Sequence, residues 1–504
     1  MPFATRLHRG YTVGAAKTNP SGGAFLPSES GYIWTEAEDH SLHEACGVIG
    51  VYAPGMDVAQ AAFYGLYALQ HRGQESAGIA TATGERIHHH TSMGLVSQAF
   101  RESDLQRLEG HIAIGHTRYS TTGSTHIRNA QPLLVHNGDF ELALAHNGNV
   151  INAAELRTQL SEEGCSFASS TDSEAIAYLL ATAPGKEWED KVSHMMRRLK
   201  GAYSLTVMTK DTLLGIRDPR GVRPLCLGRI NGGWIIASES CAIDHLGGQY
   251  LRDIEPGETV VIDKSGLRSI PFAGVRPAAS PCVFEHIYFA RPDSLLEGRL
   301  TYLTRQELGR QLAREHPVDA DLVIGVPDSA TVAAVGYAQE SGIPYSEGLV
   351  KNRYVGRTFI QPDQRIRDLG VRLKFNPLPE VIGGKRVIVV DDSIVRGTTT
   401  PQVVSLLRKA GATQVHMRVC APPIRFPCHF GVDMATQREL IAANMTVDGV
   451  RQFIGADTLG YLSVEGLLKI VGGPARKPFC AACFTGQYPM PVQLEMDKLA
   501  LERT

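Results

Sequence analysis

The stretch Val387-Ile388-Val389-Val390-Asp391-Asp392-Ser393-Ile394-Val395-Arg396-Gly397-Thr398-Thr399-Thr400 constrains this chain more than any other. Its first four residues are apolar and β-branched, which suits a buried parallel strand covered on both faces. Two carboxylates follow at the carboxyl end, the edge at which open α/β sheets bind ligands. Pro401 then fits a first helical turn, where its missing N–H costs nothing. Val403, Val404, Leu406 and Leu407 give that helix an apolar face, and Gly411 closes it.

The chemistry of this strand, loop and helix is specific. Hydroxyls and N–H groups at a helix start hold phosphate. Adjacent carboxylates grip vicinal hydroxyls or a magnesium ion on them. Together these features match ribose 5-phosphate. An Asp-Asp pair alone would suit a capped strand end in any α/β protein; the attached Arg-Gly-Thr-Thr-Thr turns the reading toward a ligand. No G-x-x-x-x-G-K-[ST] occurs in the chain. The stretch resembles the phosphoribosyl pyrophosphate loop of type I phosphoribosyltransferases. That resemblance implies contacts from Asp391, Asp392, Ser393, Arg396, Gly397, Thr398 and Thr399.

With 504 residues there is room for two or three domains. A net charge of −2 leaves no basic footprint for nucleic acid. No apolar run reaches the roughly 18 residues of a membrane span. Nine cysteines without a secretory signal point to a reducing cytosol, where thiols are catalytic, metal-bound or buried. Residues 1–45 are poor in apolar periodicity and read as a disordered leader.

Cys46 follows that leader and opens the strand-like Gly47-Val48-Ile49-Gly50-Val51. Alone, it is more simply a small core residue. Four further motifs change this: Gln70-His71-Arg72-Gly73-Gln74, Gly115-His116-Thr117-Arg118-Tyr119, Ala145-His146-Asn147-Gly148-Asn149 and Ser170-Thr171-Asp172-Ser173-Glu174. In this order they resemble glutamine amidotransferases of the N-terminal-nucleophile class, over residues 46–275. The chemistry is coherent. Arg118 can pair with an α-carboxylate, Asp172 can accept from an α-ammonium, and Arg72 joins them as a glutamine contact. Asn147 and the N–H of Gly148 can converge on an oxyanion. The base for Cys46 would be its own α-amine, with a pKa of roughly 8. That amine exists only once residues 1–45 are gone, so the resemblance makes the leader a propeptide. A second His-Asn-Gly, His136–Gly138, reads as a hairpin turn.

A Pro- and Ala-rich linker near 270–281 leads to Cys282-Val283-Phe284-Glu285-His286 and a second α/β unit, residues 282–475. Asp321–Val326 reads as another buried strand. Ser329 after it suits a helix cap, and the resemblance makes it a magnesium contact beside Asp391 and Asp392. Lys351, Arg353 and Lys374 bound a basic stretch that reads as a lid over pyrophosphate.

Cys480-Ala481-Ala482-Cys483 and two remote cysteines have metal-site spacing, within a final segment, residues 476–504. The spacing alone leaves zinc, an iron–sulfur cluster or a redox dithiol open. The two halves together resemble the phosphoribosyl pyrophosphate amidotransferases, and the cysteines their iron–sulfur subfamily. This implies a [4Fe-4S] cluster on Cys282, Cys428, Cys480 and Cys483. Cys420 is set aside because it ends an alternating strand before Pro422-Pro423.

The fold expected is thus an αββα N-terminal-nucleophile sandwich followed by an α/β phosphoribosyltransferase domain with a parallel sheet. The implied reaction is glutamine-dependent formation of 5-phosphoribosylamine, the first step of de novo purine synthesis. A homotetramer inhibited by purine nucleotides is also implied. Sugar isomerase and ATP-pyrophosphatase partners of the same amidotransferase half lack the Asp391–Thr400 loop. Non-catalytic phosphoribosyl-binding regulators lack Cys46 with Arg118 and Asp172.

Overall fold

The computed structural model describes residues 46–119, 124–352, 374–434, 436–475, 477–492 and 500–502. The expected leader, and residues 353–373 with Arg353, lie outside the described residues.

Two antiparallel sheets form the first half. One has seven strands, in the order Gln249–Asp253, Cys226–Ile230, Gly233–Ala237, Gly47–Tyr52, Ile112–Arg118, Ser76–Ala82, Ile87–Met93. The other has six: Gly266–Pro271, Glu258–Asp263, Leu213–Arg217, Gly201–Met208, Phe140–Val150, Leu133–Asn137. Period-two patterning explains how they stack. Val48 and Tyr52 face the second sheet, packing with Ile114, Ala143, Ala145 and Met208. Ile49 and Val51, between them in sequence, face the helix Val58–Ala68 through Ala62 and Leu66. On the far side, helices Ala153–Glu162, Asp172–Ala181 and Trp188–Arg198 cover Leu142, Leu144 and Leu205. These are the layers of an αββα sandwich. The His136–Gly138 segment turns a hairpin in which Asn137 pairs with Phe140 and Gly138 takes φ +59°.

The second half is built on a parallel sheet, Leu322–Gly325, Arg386–Asp391, Gln414–Val419 and Thr458–Tyr461. Val387 and Val389 pack against Val403, Val404 and Leu407 of the helix Thr400–Lys409. Ile388 and Val390 point the other way, toward Leu308, Leu312, Ala334 and Tyr337 of two further helices. All four strand residues are fully buried, which is why the run is apolar throughout rather than alternating. Because the strands are parallel, Gly325 and Val390 are partners, and the segments after both reach the same edge. Among the described residues no helix is long and apolar enough to cross a membrane.

Candidate active sites

Cys46 lies immediately before the strand Gly47–Tyr52 and is buried. Its thiol donates to the carbonyl of Tyr119 at 3.3 Å, and the Tyr119 N–H donates back to the sulfur at 3.4 Å. Burial pushes the thiol pKa up; Arg118 opposes this, while Glu75 and Asp172 add to it. Arg118 and Asp172 therefore stand close enough to Cys46 for their charges to act on it.

Arg118 ends its strand, with its guanidinium 3.6 Å from Glu75 and donating to the Ser124 carbonyl at 3.2 Å. Asp172 opens a helix and accepts from the Val150 N–H at 2.9 Å. Although burial alone would raise it, His146 together with bonds from Val150 and Ser173 holds its carboxyl below the usual range. Asn147 is fully buried on the strand Phe140–Val150, and both polar atoms of its amide lack a partner among the described residues. An unpartnered buried amide is rare and costly, and marks a place where a ligand atom is expected. Gly148 has φ +148°, and a Cβ there would sit 2.0 Å from the Ala202 carbonyl oxygen.

Arg72 does not fit the glutamine contact expected of it. It is buried, and its Nη1 binds Glu239. Its Nη1 and Nη2 also donate to Glu285 at 3.1 and 2.8 Å, and its Nε to the Cys46 carbonyl at 3.2 Å. Four of its five N–H groups are thus taken within the protein, the Nε one by the Cys46 carbonyl, so Arg72 supports the backbone of Cys46 instead. Glu239, which no sequence motif pointed to, also accepts from Ser294 Oγ at 2.6 Å and the Arg291 N–H at 2.9 Å. His71 Nε2 lies 2.7 Å from it.

His71 and Arg291 line a cavity of about 340 Å³ in the second half. Asp391, Asp392, Ser393, Arg396 and Gly397–Thr399 line it too, with Ser329, Lys351 and Lys374 facing them. Ser329 donates to Asp392 Oδ2 and Ser393 to Oδ1 at 2.6 Å. Burial and the neighbouring charge push Asp391 up; burial does the same to Asp392, against the bonds from Ser329 and Ser393. Lys351 lies 3.1 Å from Asp328. Gly397 takes φ +73°, and a Cβ there would meet Ile441 at 2.5 Å, so the turn requires glycine. Arg396 carries a partner not foreseen: Glu439 receives its Nε at 2.9 Å and its Nη2 at 2.5 Å. Its Nη1 is buried and has no partner among the described residues.

The cysteines of the second half lie in two different surroundings. Cys420 lies among Asp392, Asp391 and Arg305. Cys282 and Cys480 form a backbone bridge, with the Cys480 N–H donating to Pro281 at 2.8 Å. The Cys483 carbonyl accepts from Arg425 and Phe426, just before Cys428. Burial, with Cys428 adding to it, pushes the thiols of Cys282 up to about 12 and of Cys480 up to about 11. Burial raises Cys483 too, and Cys282, Cys428 and Cys480 all add to it. The four thiols thus form one electrostatic group. Among the described residues no three His, Cys, Asp or Glu groups are placed to hold a single metal ion. The loop after Cys428 abuts the first half. Asn149 Nδ2 donates to His429 O at 3.0 Å, Arg223 Nε to Phe430 O at 3.0 Å, and a Cβ on Gly431 would touch Gly148 at about 3.0 Å.

Comparison with known proteins agrees with this division. Residues 116–245 match a glutamine amidotransferase domain and residues 294–423 a phosphoribosyl transferase domain. The amidophosphoribosyltransferase of Synechococcus elongatus is 51% identical over 467 residues, covering 91% of this chain and 94% of the relative. That of Methanocaldococcus jannaschii is 48% identical, covering 89% and 98%. The solved glutamine phosphoribosylpyrophosphate amidotransferase of B. subtilis, complexed with ADP and GMP, superposes with a TM-score of 0.84 at 46% identity, covering 90% of this chain and 99% of its own. With a nucleophile site and a phosphoribosyl-type loop in one chain, and relatives that match nearly end to end, this protein belongs to the amidophosphoribosyltransferase family.

Proposed function

We propose that this chain makes 5-phosphoribosylamine from glutamine and phosphoribosyl pyrophosphate, with one half-reaction at Cys46 and the other at the Asp391–Thr400 loop. Residues 46–275 carry the first, residues 282–475 the second, and 476–504 close the cysteine group. The unpartnered amide of Asn147 carries the reading: it lies on the strand whose Val150 N–H donates to Asp172, and Asp172 and Arg118 act on Cys46.

Arg118 binds the α-carboxylate of glutamine and Asp172 its α-ammonium. The Cys46 sulfur attacks the amide carbon, and the oxyanion forms at Asn147 and Gly148. Burial disfavours the thiolate, so attack needs a base. The α-amine of Cys46, freed by loss of residues 1–45, takes the proton and returns it to the leaving ammonia. Water then releases glutamate from the thioester. Arg72, held by Glu239 and Glu285, fixes the Cys46 carbonyl throughout.

Ammonia passes through the protein to the cavity. Its lone pair attacks the anomeric carbon, and the bond to pyrophosphate breaks with its electrons on the leaving group. Thr398, Thr399 and Gly397 bind the 5-phosphate, and Asp391 and Asp392 the ribose hydroxyls. Lys351, Arg353, Lys374 and Arg396 carry charge for the pyrophosphate. Magnesium, which phosphoribosyltransferases generally use, would be held at the hard oxygens of Ser329, Asp391 and Asp392 and would screen the leaving group. The grouped cysteines 282, 428, 480 and 483 support a [4Fe-4S] cluster joining the unit junction to the C-terminal segment. Its place in the fold is structural. Purine nucleotides are the expected feedback inhibitors, a homotetramer the expected assembly, and the cytoplasm the expected compartment. The B. subtilis neighbour's ADP and GMP are in keeping with the first.

Mass analysis of the active enzyme tests the nucleophile assignment. Cys46 should be the first residue; full activity with any leader residue attached would rule out the α-amine base.

A further inference from the structure

The end of the described chain returns to the first half. Leu501 is buried among the helices Ala153–Glu162 and Asp172–Ala181 and their sheet. Glu502 beside it reaches two loops at once. Its Oε1 accepts from the Ser124 N–H at 2.8 Å, from Ser124 Oγ at 2.7 Å and from Ser170 Oγ. Its Oε2 pairs with Arg128.

Each loop leads to one of the two charged groups assigned to glutamine. The Ser124 carbonyl receives Arg118 Nη1 at 3.2 Å. Ser170 stands two residues before Asp172, at the entry to its helix. The buried Asn129 already joins these loops, donating to Ser124 O at 2.9 Å and accepting from the Ser170 N–H at 3.0 Å. Glu502 adds a second, charged tie that comes from 332 residues away in sequence. An amino acid held at both ends needs its two partners placed to within about 0.5 Å, which demands support behind them.

We propose that Glu502 is a positioning residue of the glutamine site, bracing the loop behind Arg118 against the loop before Asp172. This rests on the reading of those two residues as the holders of glutamine's charged ends. The brace acts on recognition of the amino acid and not on the Cys46 sulfur or the phosphoribosyl cavity. An ordinary surface tether would leave recognition untouched.

The test uses the full-length enzyme with Glu502→Ala, and Arg118→Lys as a control. Four quantities are read: KM for glutamine, the ammonia-dependent rate, alkylation of Cys46 by iodoacetamide, and its labelling by the glutamine analogue 6-diazo-5-oxo-norleucine. Glu502→Ala should raise KM for glutamine about ten-fold, as expected when the support behind two substrate-binding groups is lost and the groups themselves remain. Labelling by the analogue should slow in proportion, with the ammonia-dependent rate and iodoacetamide alkylation unchanged. An unchanged KM in Glu502→Ala, with a raised KM in Arg118→Lys, would reduce Glu502 to a surface tether. A parallel fall in the ammonia-dependent rate would show general misfolding and overturn the proposal equally. If Arg118→Lys itself leaves KM unchanged, the glutamine-site reading fails and the brace with it.

Discussion

Asn147→Ala separates catalysis from stability in a way few substitutions do. The side chain is fully buried, and neither polar atom has a partner among the described residues. Removing it therefore breaks no hydrogen bond among the described residues. An unsatisfied buried amide costs about 1–3 kcal/mol, and its loss is a gain of that order. The void left by the missing atoms costs about 1 kcal/mol per methyl-sized gap. These terms nearly cancel, so the apparent melting temperature should stay within about 4 °C of wild type. Catalysis should respond very differently. Loss of one oxyanion donor costs about 10²–10³ in kcat, or roughly 2.7–4 kcal/mol. KM for glutamine should change little, since the bond is made in the transition state. Steady-state glutamate release and a thermal melt on the same preparation check this, with ammonia-dependent pyrophosphate release as the internal control. An unchanged kcat would refute the oxyanion role. A melting point lowered by about 10 °C would show that the amide is a structural bond after all.

Three further outcomes are expected. Replacing Asp391 and Asp392 with Asn should weaken binding of phosphoribosyl pyrophosphate and magnesium, read by calorimetry, while glutaminase turnover stays intact; unchanged affinity would return the pair to a capped strand end. Cys428→Ser should lower bound iron and sulfide while Cys420→Ser keeps both, because only Cys428 belongs to the electrostatic group with Cys480 and Cys483; zinc without sulfide in the wild type would remove the cluster. Glu239→Gln should destabilise the fold by about 3 kcal/mol, as loss of one partner in a buried ion network does. Although burial alone would raise it, His71 and Arg72 hold the Glu239 carboxyl well below the usual range. Its charge thus contributes stability above the unfolded-state pKa of roughly 4.5, and that contribution shrinks as pH falls further. Denaturation midpoints of wild type and Glu239→Gln should converge under acid, and a constant gap would argue against the ion network as its source.

The parallel strand was legible because its environment acts residue by residue. Val387 to Val390 are buried on both faces, and a run of β-branched residues is what such a strand needs. The hairpin at Gly138 was legible for a similarly local reason, the positive φ that its turn demands. Charged residues were harder. Arg72 and Arg396 carry the same charge as Arg118, and nothing in their neighbouring residues says what neutralises them. Glu239 is 167 residues from Arg72, and Glu285 is 213. Glu439 is 43 from Arg396. Only the fold brings these carboxylates in, turning Arg72 from a substrate contact into a support. Glu285 stood inside a motif already singled out, and its charge in an otherwise apolar run was the available signal. Glu502 had no signal at all, since its loops are ordered by the other end of the chain.

The central claim is that two chemically independent sites are joined only by ammonia, and Cys46→Ala tests it most directly. Pyrophosphate release from phosphoribosyl pyrophosphate is measured with glutamine and, separately, with an ammonium salt. The prediction is that release with glutamine disappears while release with ammonia stays near the wild-type rate. Loss of both in a protein that still melts like wild type would contradict it, as would glutamine-dependent release that persists without the thiol.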